Sequence, residues 1–305
     1  MFRPIALALC VSLLGLTAAQ ADERSYLGGG RLISNDFLGD GKDRWRSGAI
    51  SASHVWGPKW QGALPDRLGA LWELRFGLDV LAPENLNEAA PGDRPYAGAL
   101  SLGLHSHYQS GGLEFSLGGD LVATGPNTGL SNLHGEFHEV LGEGALSDAT
   151  RADQIGNGLH PRLVIETGRD LALTDRLELR PFVEARAGVE DLVRTGFDLT
   201  FGNVTRNDLL IRDPGSGQRY RAVQNGDATG FSFVLGGDIA HVSDSIYLPE
   251  DRGLELNGHR DRLRAGLHWQ GEGASAFYGL SWLGAEFEGQ DEGQFIGSLR
   301  VNLRF

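Results

Sequence analysis

Two histidines stand four residues apart in Leu133-His134-Gly135-Glu136-Phe137-His138-Glu139-Val140-Leu141-Gly142-Glu143, with acids around them. On an α-helix such a pair shares one face, a turn apart. Leu130, Leu133, Phe137, Val140 and Leu141 recur at three- and four-residue spacing, so a short helix is expected within 124–142, its start capped by Ser131 or Asn132. A zinc-protease helix reads H-E-x-x-H, with its glutamate directly after the first histidine. Here the acid is Glu136, two residues on and on another side of the helix, so that chemistry is not expected. Two readings stay open: a surface helix with solvated histidines, or a histidine base of a hydrolase with its supporting partner one turn back.

Two further polar stretches interrupt the chain. Residues 34–48, SNDFLGDGKDRWRSG, crowd Asn35, Asp36, Asp40 and Asp43 among glycines. That is either a calcium-like oxygen-rich loop or an ordinary Asx turn, since Asn, Asp and Gly favour turns for local reasons. Residues 91–98, PGDRPYAG, open on a turn signal. In them the planar guanidinium of Arg94 suits a phosphate or carboxylate, and Tyr96 suits a pocket wall or a membrane interface.

The elements that must hold these residues read as strands. In 177–189, Leu177, Leu179, Pro181, Val183, Ala185, Ala187 and Val189 share one face, and Glu178, Arg180, Phe182, Glu184 and Arg186 the other. The same alternation runs through 70–80, 113–123, 229–242, 276–287 and the C-terminal QFIGSLRVNLRF ending in Phe305. Segments of about ten residues are longer than the usual soluble strand and match a tilted bilayer crossing. The fold class is therefore expected to be all-β: a transmembrane antiparallel β-barrel of about twelve strands with a short helix in one loop. Such a helix would hang at the barrel mouth or dip into the lumen, and we place it on the luminal side.

Export is expected too. Arg3, an apolar run from Ile5 to Leu16 and Ala19-Gln20-Ala21 form a signal-peptide pattern, giving a leader over 1–21 and one barrel domain over 22–305. The only cysteine, Cys10, falls inside that leader, which excludes a disulfide scaffold and cysteine catalysis in the remainder. A net charge of −13 disfavours nucleic-acid binding.

Taken in order, the polar stretches resemble the lipid A 3′-O-deacylase family of the Gram-negative outer membrane. The resemblance is carried by Asn35-Asp36, by Asp43-Arg44-Trp45-Arg46-Ser47-Gly48, by Asp93 to Gly98, and by Gly125-Pro126 followed by a short helix ending in His138. Asp153-Gln154 and the region of Glu166 resemble the next strand of that family. The resemblance implies a twelve-stranded barrel with its active site between barrel wall and outer leaflet. It implies a calcium-dependent ester hydrolase that removes the 3′-O-linked acyloxyacyl group of lipid A. His138 matches the catalytic histidine that activates water, and Asn35 and Asp36 match the essential Asn-Asp pair. Ser47 matches a position usually threonine, although the spacing leaves Arg46 as a rival. Arg94 and Tyr96 would contact substrate, and Asp36 with Glu143 would hold the metal, with Glu139 an alternative to Glu143. His134 stands where the family usually has glutamine; a neutral imidazole can also donate and accept.

The implied partners are lipid A or lipopolysaccharide as substrate and the outer membrane itself, with the chain a monomer. A related expectation is an outer-membrane phospholipase using the same histidine. A different one is a non-catalytic barrel, a small channel or structural protein, and a third is a soluble secreted β-protein.

Overall fold

A computed structural model describes residues 24–87, 92–141 and 146–303. The leader expected over 1–21, with Cys10, lies outside the described residues, as do Glu143 and Phe305. The strands are β1 (Ser25–Asn35), β2 (Trp45–Gly57), β3 (Leu71–Ala82), β4 (Ala97–Ser110), β5 (Leu113–Thr124), β6 (Gly158–Gly168), the two-residue β7 (Leu171–Ala172), β8 (Leu177–Ala187) and β9 (Glu190–Gly202). The short β10 (Leu209–Arg212) and β11 (Arg219–Val223) follow, then β12 (Gly230–Ser245), β13 (His259–Gln270), β14 (Ala274–Leu283) and β15 (Gln294–Leu303). Helices α1 (Leu130–Leu141) and α2 (Asp148–Ala152) lie between β5 and β6.

Twelve long antiparallel strands form the wall, each pairing with its neighbours, and β1 meets β15 through Ile33↔Leu299, Ser34↔Ser298 and Asn35↔Gly297. The pairing of β6 with β8 completes the ring. Closure leaves no sheet edge, as a bilayer requires of a strand-built span. No helix among the described residues is long and apolar enough to cross a membrane. Along β4, Leu100, Leu102 and Leu104 are exposed on the outer face while His105 and His107 are buried inside. On β8 the expected split holds, with Arg180, Phe182, Glu184 and Arg186 turned inward and buried.

The lumen is filled rather than open. A buried charge must be paired to be tolerated, and the inner charges form such pairs: Arg212 with Asp198 at 2.8 Å, Arg262 and Arg194 each with Asp238 at 2.9 Å, and Arg162 with Asp120 at 2.9 Å. Between them stands the hairpin of β10 and β11, which the alternation of the sequence does not reveal. Its Tyr220 hydroxyl lies 2.6 Å from Ser53 Oγ, Asp213 accepts from Ser51 at 2.6 Å, and Gln218 donates to Ser281 at 3.1 Å. At the tip, Pro214 and Gly215 carbonyls accept from Arg262, each at 3.0 Å.

Two glycines of β1, Gly28 and Gly30, are explained by this insertion. A Cβ at Gly30 would sit 2.1 Å from the Arg221 carbonyl oxygen, so only glycine lets the hairpin seat. Gly30→Ala is therefore expected to destabilise the barrel by about 1–3 kcal/mol, the range for overpacking a tight contact. Thermal unfolding followed by heat-modifiable gel migration measures it, and an unchanged transition would show that the hairpin is not clamped there.

Candidate active site at the outer rim

The site is assembled at the end of the barrel that carries the longer loops, the extracellular end in barrels of this kind. Its first element is the turn between β1 and β2. Asp36 is 1% exposed; its Oδ1 accepts from the Phe37 amide at 2.8 Å and its Oδ2 from the Arg44 amide at 2.7 Å. Burial, with the nearby charges of Asp43 and Asp40 adding, pushes the Asp36 carboxyl up to about 8 against the opposing amide bonds. Asn35 donates to the Ser47 carbonyl at 2.8 Å and accepts from Phe37 at 2.9 Å. The Asn-Asp pair thus ties the turn to the start of β2.

β2 then carries a β-bulge. Arg46 pairs with Leu81 and Gly48 with Val80, so Ser47 is the extra residue between them. One inserted residue breaks the alternation and re-aims a side chain. Arg46 turns inward to Glu286 and to Glu190 at 3.6 Å, whereas Ser47 donates to Asp43 Oδ1 and lies 3.4 Å from His134 Nε2. Of the two rival positions, the bulge brings Ser47 to the histidines.

α1 lies within the stretch expected to hold a helix, but two details of the expectation are corrected. The helix begins at Leu130 after Gly129 in the left-handed region (φ 74°), and Thr128 Oγ1 takes the Leu130 amide at 3.4 Å, so neither Ser131 nor Asn132 is the cap. The helix also lies outside the barrel wall, not in the lumen. Gly98 shares the outward face of β4 with the exposed Leu100 and Leu102, and a Cβ there would be 2.8 Å from Leu130 Cβ. Leu130 fills that dent and packs in one cluster with Val80, Ala82, Leu86, Tyr96 and Leu146. α2 clamps the other side, where Arg151 donates to the Ser131 carbonyl at 3.1 Å and to Asn132 Oδ1 at 2.7 Å.

This docking puts the two imidazoles on the wall. His138 is 5% exposed with Nε2 2.7 Å from Asp43 Oδ2, and His134 Nε2 is 3.6 Å from Asp43 Oδ1. The rings meet edge-on at 4.5 Å between centroids, and Tyr96 stacks on His134 at 5.8 Å. The Tyr96 hydroxyl and His134 Nδ1 are buried with no hydrogen-bond partner among the described residues. Burial alone would push the Asp43 carboxyl up; hydrogen bonds from His134 and Ser47, with the charges of both histidines, hold it below the usual carboxylate range. Leu133 and Phe137, each 56% exposed, and Phe37 face away from the wall. Arg94 is not part of this outward cluster: it is 1% exposed and donates to Glu286 at 2.8 Å, beside Arg46. Asp43 is the residue that reasoning from the sequence left without a role, although it opens the D-R-x-x-S-G stretch.

The family model for the outer membrane protein LpxR matches residues 5–305. The chain belongs to the LpxR family. Among solved structures, LpxR from Salmonella typhimurium matches with a TM-score of 0.74 and 18% identity, over 91% of this chain and 100% of that one. The NanC porin matches with a TM-score of 0.40 and 8% identity, over 92% of this chain and 100% of that one. No curated protein matches the sequence. The LpxR assignment places the chain in the outer membrane as a multi-pass β-barrel.

The calcium implied for an LpxR chain can be tested against its donors. Calcium takes six to eight oxygens. Among the described histidines and carboxylates, the group of three close enough to share one ion is Asp43, His134 and His138, two of them nitrogen donors. Both Asp36 oxygens already serve backbone amides. These three side chains by themselves do not suit calcium.

Proposed function

We propose that the chain is an outer-membrane esterase that removes the 3′-O-linked acyloxyacyl group of lipid A, with His138 as general base. The observation that carries this reading is the contact of His138 with Asp43 on the outward, lipid-side face of the wall, beside Ser47. An ionised Asp43 beside His138 stabilises the imidazolium that forms as the ring takes a proton. Water then attacks the ester carbonyl as His138 takes its proton. Collapse expels the sugar 3′-oxygen, which recovers that proton from the imidazolium and leaves as the free hydroxyl, with the fatty acid as the other product. The developing oxyanion needs a donor in a water-poor setting. In this outward cluster the Tyr96 hydroxyl is a buried donor with no partner among the described residues. Asn35 and Asp36 act at one remove, by fixing the turn that presents Asp43. The exposed Phe37, Leu133 and Phe137 suit the acyl chains of a lipid. Arg94, expected to meet a phosphate, supports the wall from within.

The hairpin in the lumen speaks against the non-catalytic channel, so negligible conductance is expected in planar bilayers. The test of the esterase is the lipid A mass profile of cells with and without this chain: the mass of one acyloxyacyl group should be lost where it is present. An unchanged profile in cells that carry the folded barrel would overturn the reading. Phospholipid offered beside lipid A to the purified protein separates a phospholipase. Calcium restoring activity to a chelated sample would show that this ion takes part in the reaction.

A further inference from the structure

We propose that Asp43, His134 and His138 form a binding site for an imidazole-preferring divalent transition-metal ion of the zinc type, and that this ion silences the histidine base. The ligand atoms lie within 4.8 Å of one another. A tetrahedral zinc ion with bonds near 2 Å holds its donors roughly 3–3.5 Å apart. His134 Nε2 is 3.6 Å from Asp43 Oδ1 and His138 Nε2 is 2.7 Å from Asp43 Oδ2, so seating one ion needs a turn of the carboxylate and side-chain shifts of about an ångström. Two imidazoles and a carboxylate with an open fourth position favour zinc, cobalt or nickel over calcium or magnesium. The three ligands come from separate supports, a turn and two levels of one helix. The helix is pinned by the packing of Leu130 and by Arg151, so both imidazoles are held beside Asp43 before any ion arrives. Zinc on Nε2 of His138 forces the remaining proton onto Nδ1, and the ring then has no lone pair for water. The silencing rests on the esterase reading above; the binding does not.

The full-length barrel in detergent, stripped with a chelator and dialysed, is titrated with zinc against a chromophoric chelator, and with cobalt to read visible absorption. One equivalent is expected to bind, unaffected by a large excess of calcium. H134Q keeps a hydrogen-bonding side chain without the imidazole, and D43N removes the anion. Each should weaken binding by more than about 100-fold, since even an outer-shell partner is worth about 10–100-fold. Absence of saturable zinc binding by a barrel shown to be folded, or equal affinity in H134Q, would overturn the site. Hydrolysis of lipid A followed in parallel should fall as zinc is bound and return with chelator; activation by zinc would overturn the silencing. Zinc binding without any hydrolysis would reject the esterase and leave the site standing, while zinc-free hydrolysis with no binding would do the reverse.

Discussion

His138→Ala is expected to lower lipid A deacylation by about 10²–10⁴-fold, the usual contribution of a positioned general base. That corresponds to about 3–5 kcal/mol of transition-state stabilisation. The loss should appear in kcat rather than KM, because the imidazole acts on the water and not on the lipid chains. Mass spectrometry of lipid A incubated with the variant measures it, alongside heat-modifiable migration to show that the barrel has formed. The exposed face of α1 and its seat on Gly98 do not involve the imidazole, so the fold should survive. A variant that still removes the acyloxyacyl group at the parent rate would reject the assigned base.

Asp43→Asn is expected to cost about 10²-fold in the same assay, the scale set by a small loss of positioning. The amide keeps the size and can still accept from an imidazole N–H, but it lacks the charge that favours the imidazolium formed as water gives up its proton. The carboxyl is held below its ordinary range despite burial, so it is ionised at neutral pH and that charge is present to be lost. A positioning role makes a second demand. The loss should fall on kcat with KM unchanged, since Asp43 faces the imidazole and not the lipid chains. Asp43→Glu, which restores the carboxylate, should recover part of the rate, whereas a merely structural role would give no such recovery.

The wall and the helix were legible because both reside in local periodicity. Alternation through 177–189 states which residues face together, whatever the strand's neighbours are, and the spacing of Leu130, Leu133, Phe137 and Leu141 does the same for a helix. The hairpin was not legible. Its strands are short, and the lumen around it is lined with ion pairs, so no apolar face repeats along it. Asp213-Pro214-Gly215 between Leu209-Leu210-Ile211 and Tyr220 was the available sign of a turn flanked by strands.

The sequence by itself determined the strand periodicity of the wall, the presence of a short helix and the candidate groups, with His134 and His138 on one helical face. Tertiary structure decided the rest, because each remaining choice depends on a partner distant in the chain. A single inserted residue in β2 sends Ser47 out and Arg46 in, which no period of two can show. The missing side chain at Gly98 seats α1 against the outside of the wall instead of in the lumen. Only with that docking does Asp43, in the first extracellular turn, meet the imidazole of His138.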